Sequence, residues 1–184
     1  VQPSPTPTRA NCASEIRNFG DSGVLTDAEV ARYLQQTLPA AHLNNCRGIE
    51  YVHTLAKSHG DSIAGNIIPV YRIIFVYAIN LQQQNADDLL DTLVHEIGHN
   101  VHMNIRQENP EFYETWTNLF TDSQKLFESG GTGFVSDYAR SNKSEDFAES
   151  YRAYVRNPAA LLRANPEKYE FMRQNVFNNR EYLR

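Results

Sequence analysis

Two histidines four residues apart, with a glutamate directly after the first, stand in the middle of this chain as His95-Glu96-Ile97-Gly98-His99. On a helix that spacing stacks the two imidazoles one turn apart on one face. Two neutral ring nitrogens so placed can share one divalent cation, and the HExxH pattern points to Zn²⁺, one ion per chain. Glu96, about 100° further round the helix, is placed to hold a water as general base. The same three residues could fall at this spacing by accident on a solvated helix face. Their surroundings argue against it. Asn85 can cap a helix whose first turn carries Asp87 and Asp88, and Leu89, Leu93, Val94, Ile97 and Val101 then recur at helical spacing beside the histidines.

A catalytic zinc of this type takes a third protein ligand and leaves a fourth position for water. In the metzincin pattern the third ligand is a His six residues after His99, with a Gly midway. Those positions hold Ile105 and His102, which excludes that class. His102 lies two turns from His95, too far to share its metal, and reads as a polar side chain near the site. A carboxylate from a later helix remains. Ser144-Glu145-Asp146-Phe147-Ala148-Glu149 offers two acids on one helical face, with Ser144 as the expected N-cap and Asn157-Pro158 as the stop. One of the pair can bind metal while the other accepts the free ring N–H of a ligating histidine. The spacing alone leaves Glu145 and Glu149 interchangeable.

With Tyr138 standing seven residues before Glu145, the whole pattern resembles the metallopeptidase family of anthrax lethal factor and the clostridial Pro-Pro endopeptidases, over roughly residues 85 to 155. The resemblance implies a zincin-like fold in which His95, His99 and Glu145 bind zinc, Glu96 is the base, Tyr138 faces the reaction centre, and Glu149 supports a ligand. It also implies peptide hydrolysis, with cleavage between prolines as one specificity the family contains.

The elements that must position these groups are legible in outline. Thr26-Asp27-Ala28-Glu29 forms a capping box for a helix ended by Pro39. Gly48 to Ala56 and Ile67 to Ile79 are rich in β-branched and aromatic residues, the second run reading as a strand or strand pair, with Lys57 to Asn66 as a polar connection. Pro69 belongs at an edge or strand start because it cannot donate a ladder hydrogen bond. An edge strand beside the zinc helix would offer its main chain to an extended peptide, although the sequence does not say which strand lies there. Asn109-Pro110-Glu111 opens a further helix, with Phe112, Trp116, Leu119, Phe120, Leu126 and Phe127 as an apolar face, ending at Gly130-Gly131. The Gly130 to Gly133 segment is either a loop over the cleft or a plain turn. Shorter helical pieces are expected from Ala159 to Arg163 and from Pro166 to Phe177.

These pieces make an α+β fold, mainly helical, with a small N-terminal β-sheet. The chain of 184 residues suits one domain over 10–184, preceded by a Pro/Thr-rich tail at 1–9 too poor in apolar residues to pack. A net charge of −5 gives no basic footprint for nucleic acid, and no apolar run is long enough to span a membrane. Cys12 and Cys46, without CxxC spacing, are expected to form one disulfide, which favours an oxidising compartment. No signal peptide is visible, and a start at Val1 fits a processed form. The expectation is thus a secreted zinc metalloendopeptidase, monomeric, acting on an extended polypeptide. The competing expectation is an inactive peptidase-like zinc-binding interaction module.

Overall fold

The computed structural model describes residues 10–58, 61–79, 81 and 84–183, so the tail expected at 1–9 lies outside the described residues. Helix α2 (Ala86–Glu108) is the central element. Asn85 caps it by accepting from the Asp87 N–H, and Asp87 and Asp88 complement the positive end of its dipole. Leu89, Leu93, Val94 and Ile97 are almost wholly buried along it.

On one side of α2 stands a four-stranded sheet in the order β1-β2-β6-β5. β1 (Ile16–Arg17), β2 (Gly48–Val52) and β6 (Ile73–Tyr77) are parallel neighbours, and β5 (Gly65–Ile68) runs antiparallel to β6 at the edge. The register explains which side chains reach the core. Ile49 lies beside Ile74 and Tyr51 beside Val76, and all four are buried, whereas the alternate residues Glu50, Phe75 and Tyr77 are partly open to solvent. The expected strand pair is therefore the β5–β6 hairpin, and Pro69 sits in its turn rather than in the ladder. The polar connection expected from Lys57 to Asn66 is instead mostly strand. β3 (Ala56–Ser58) and β4 (Asp61–Ile63) pair antiparallel as a separate hairpin, because Ser and Asp can ladder as well as turn when the register supplies partners.

On the other side of α2 lies α4 (Lys143–Arg156), which buries Phe147, Tyr151 and Tyr154. The two helices approach closely at Gly98. A Cβ there would lie 3.0 Å from the Ala148 Cα and 3.1 Å from the Tyr151 Cβ, so a side chain at this position inside HExxH would push the helices apart. The N-cap of α4 is Asn142, not the expected Ser144; its side chain accepts from the Ser144 and Glu145 N–H groups. The longer reach of the asparagine two residues upstream wins the cap, which frees the Ser144 hydroxyl for the site.

α1 (Asp27–Thr37) carries the expected capping box between Thr26 and Glu29. α3 (Pro110–Glu128) begins and ends as expected but buries less than its composition suggests. Trp116 is fully buried against Phe147 and Phe171, while Leu126 and Phe127 remain exposed. The Gly130 to Gly133 segment is a tied turn and not a loop over the cleft, since the Gly133 carbonyl accepts from both Asn165 Nδ2 and Lys168 Nζ. α5 (Pro158–Ala164) and α6 (Pro166–Phe171) follow, and the helix expected to run on to Phe177 ends in a π-helical turn over Met172–Val176.

The Cys12–Cys46 disulfide is formed, and both cysteines are buried. Closing a loop of this length restricts the unfolded chain by roughly 3–4 kcal/mol in the entropic account. That stabilisation falls on the segment that carries β1 and leads into β2.

Candidate metal centre

Helices α2 and α4 bring three of the expected residues to one point. His95 Nε2 lies 3.1 Å from His99 Nε2 and 3.2 Å from Glu145 Oε2, and His99 Nε2 lies 3.2 Å from the same oxygen. Donors held tetrahedrally at about 2.0–2.1 Å from zinc would stand about 3.3–3.4 Å apart, so this near-equilateral triangle has the dimensions of one face of such a site. Among the described residues it is the one group of His, Cys, Asp and Glu side chains with the geometry to hold a metal ion.

The far side of each imidazole is occupied, which decides which nitrogen is free. Glu149 Oε1 stands 2.9 Å from His95 Nδ1, and a carboxylate can only accept there, so Nδ1–H donates and in the neutral ring it is Nε2 that turns its lone pair toward the triangle. His99 Nδ1–H likewise donates to the Ser144 hydroxyl at 3.1 Å. Ser144 in turn faces His102 Nδ1 at 3.4 Å. Burial, with the neighbouring His99, Lys143 and Arg106, pushes the His102 pKa down to about 3, so this ring stays neutral and accepts the Ser144 proton. His102 otherwise stacks on Phe147 and Tyr113, as expected of a side chain near the site but not in it.

The field at the triangle favours positive charge. Burial depresses the His95 pKa, yet hydrogen bonds to Glu145 and Glu149 outweigh it and raise the value to about 9. Glu145 and Glu149, which burial alone would raise, are held below their ordinary range, Glu145 by His95 and His99 and Glu149 by His95, Ser136 and Arg152. Such a field suits a cation between the three donors.

Glu96 is buried at 4 % exposure, and its Oε2 has no hydrogen-bond partner among the described residues. Burial raises its pKa, opposed by His99 and His95, so the carboxylate is more basic than an exposed one. It lies against β5 because Gly65 has no side chain. A Cβ at Gly65 would stand 2.8 Å from Glu96 Oε1 and 2.8 Å from Thr92 Cγ2.

Tyr138 enters from a 3₁₀ turn, Tyr138–Arg140, with its ring centroid 6.0 Å from that of His95 and more than half of its surface exposed. Partial burial and the charges of Glu145 and Glu96 push its phenol pKa up to about 12, so the hydroxyl is a standing proton donor at neutral pH.

The six residues that the sequence assigns to metal, base, tyrosine or support, namely His95, Glu96, His99, Tyr138, Glu145 and Glu149, thus lie together. Three others became visible only in the fold. Ser144 reads from the sequence as a cap, and neither Gly65 nor Ser136 carries any signal in its spacing from the motif. Ser136 Oγ lies 2.6 Å from Glu149 Oε2.

Over residues 52–181, well over half of its length, the chain matches a family model described as "Putative zinc-binding metallo-peptidase". The matched stretch starts at the end of β2 and contains every residue of the candidate metal centre, leaving out the disulfide-linked N-terminal part. No curated protein matches the chain.

Proposed function

The chain belongs to the metallopeptidase family whose model it matches, and from that premise we propose that it is a zinc-dependent metalloendopeptidase hydrolysing an extended polypeptide. The observation that carries this reading is the combination of a three-donor triangle of zinc dimensions with a buried, raised-pKa glutamate that is not one of the donors. A purely structural zinc site closes all four positions and has no use for such a glutamate. The same observation therefore weighs against the interaction-module alternative.

His95, His99 and Glu145 would hold the zinc, which when bound supplies Lewis acidity toward a water and the scissile carbonyl. Glu96 takes the proton from the attacking water and delivers it to the leaving amine nitrogen. The Tyr138 hydroxyl donates a hydrogen bond to the carbonyl oxygen as it gains negative charge. Glu149 and Ser144 hold the two imidazoles in the tautomers that keep Nε2 available. The outer edge of β5, beside Glu96 and unpaired among the described residues, is the surface against which an extended substrate adds as a further strand.

Tyr138, its spacing before Glu145 and the adjacent Glu149 support the finer likeness to lethal factor and the Pro-Pro endopeptidases, and with it cleavage at Pro-Pro as the first specificity to try. The disulfide supports an extracellular setting. No helix among the described residues is long and apolar enough to cross a membrane.

The test is incubation of the pure protein with a diverse peptide library, cleavage sites being read by mass spectrometry, with and without a zinc chelator. Internal cleavage that stops on chelation and returns with added zinc is expected. Stoichiometric zinc with no cleavage of any peptide would overturn the reading in favour of a binding module. A smaller effect is expected at the strand edge. Gly65→Ala crowds Glu96 and Thr92 together, so Glu96 must shift by some tenths of an ångström, and misplacing a reacting group on this scale costs on the order of tenfold to a hundredfold in kcat. Zinc content should remain one per chain, because no donor is touched; wild-type kcat in Gly65→Ala would show that the contact does not position the base.

A further inference from the structure

Tyr138 poses a problem of placement. More than half of its surface is exposed, so packing and its approach to His95 and Glu145 leave much of its placement to the backbone beneath it. That backbone is a single 3₁₀ turn with no capping side chain at Asp137. Its far side is anchored by Ala139, which is fully buried, and by Arg140, whose guanidinium lies 3.8 Å from the Phe127 ring centroid. Among the described residues, the Ala139 N–H of this turn is tied by one hydroxyl, that of Ser136.

Ser136 Oγ has one proton and lone pairs to place. At 2.6 Å from Glu149 Oε2 the proton goes to the carboxylate, which can only accept, and the bond is short because it is charge-assisted. The Ala139 N–H, at 3.1 Å, then donates to the Ser136 oxygen. Glu149 thus uses one oxygen for His95 Nδ1–H and the other for Ser136, and Ser136 passes the connection to the residue after Tyr138. We propose that Ser136 is a positioning residue that fixes the Tyr138 turn to the metal centre through Glu149. The inference rests on the reading of Tyr138 as the oxyanion donor.

The alternative is that Ser136 serves Glu149, and through it the metal. Glu149 Oε2 also accepts from Arg152 Nη2 at 2.9 Å, so loss of the serine leaves this carboxylate ionised, oriented and still paired with His95. Zinc affinity should therefore change little when Ser136 is lost, while the turn loses the tie at its Ala139 N–H.

The experiment is a double-mutant cycle on the zinc-loaded protein, combining Ser136→Ala with Tyr138→Phe, together with amide hydrogen exchange and zinc affinity by chelator competition. Ser136→Ala should lower kcat on the order of tenfold to a hundredfold with KM little changed. Exchange at the Ala139 amide should speed up, with zinc affinity within a few-fold of wild type. Ser136→Thr keeps the hydroxyl and should restore kcat and protection. In the Tyr138→Phe background, itself expected to lose about 10²–10³-fold in kcat, Ser136→Ala should cost almost nothing more, because what it positions is gone. A full, additive loss in that background would overturn the inference, as would unchanged protection of Ala139. Wild-type kcat in Tyr138→Phe alone would instead overturn the assignment of Tyr138, and this inference with it, by a result that the other two outcomes do not produce.

Discussion

Glu96→Gln is expected to lose cleavage on the order of 10²- to 10⁴-fold in kcat while still binding one zinc per chain, the range a positioned general base contributes. Glutamine keeps the volume against Gly65 and Thr92 and removes only the capacity to take a proton. Glu96 is not one of the triangle's donors, so metal content is the internal control. The fold supplies a second control. Glu96 is buried with an oxygen that has no partner among the described residues, an arrangement that costs stability when ionised. Replacing it by a neutral amide should leave Tm unchanged or raise it. A variant that loses activity together with zinc or with stability would place Glu96 in the metal site or the scaffold. Cleavage within tenfold of wild type would remove it from the mechanism.

The cost of burying the carboxylate proposed as the base bears on what could be read from the sequence. HExxH announces its chemistry because two ligands and a base must lie within five residues of one helix, and the Leu and Val spacing on α2 places that helix in the core. Glu145 and Glu149 were legible as a pair for the same reason, being one turn apart on α4. What the sequence withheld concerns contacts between elements. Gly65 touches Glu96 from a strand thirty-one residues upstream, and a lone glycine in a polar stretch carries no mark of that approach. Ser144 reads as an N-cap by type and position, yet Asn142 takes the cap and leaves the hydroxyl to His99. Competition between two good caps is decided by reach in three dimensions, which local preference does not encode. The choice of β5 as the edge strand was withheld too, since order in a sheet follows from crossovers that strand composition does not record.

The two acids of α4 should separate when zinc affinity is measured. Glu145 Oε2 is a corner of the donor triangle, so Glu145→Ala removes a ligand and leaves two imidazoles, and dialysis against a weak chelator should strip the metal and abolish cleavage. Glu149 acts one bond further out, accepting from His95 Nδ1–H at 2.9 Å. Glu149→Ala leaves all three donors but lets the His95 ring turn, and losing such a support weakens metal binding by about 10–100-fold. Glu149→Gln tests the cause, because its amide oxygen can still accept from His95 while the negative charge is gone. If orientation is what Glu149 supplies, the glutamine variant should bind zinc more tightly than the alanine variant; if charge is what matters, the two should be equally weak. Glu149→Ala losing zinc more readily than Glu145→Ala would make Glu149 the third ligand. Wild-type affinity in both would move the third ligand off α4, and no helix-spacing argument about this pair would then stand.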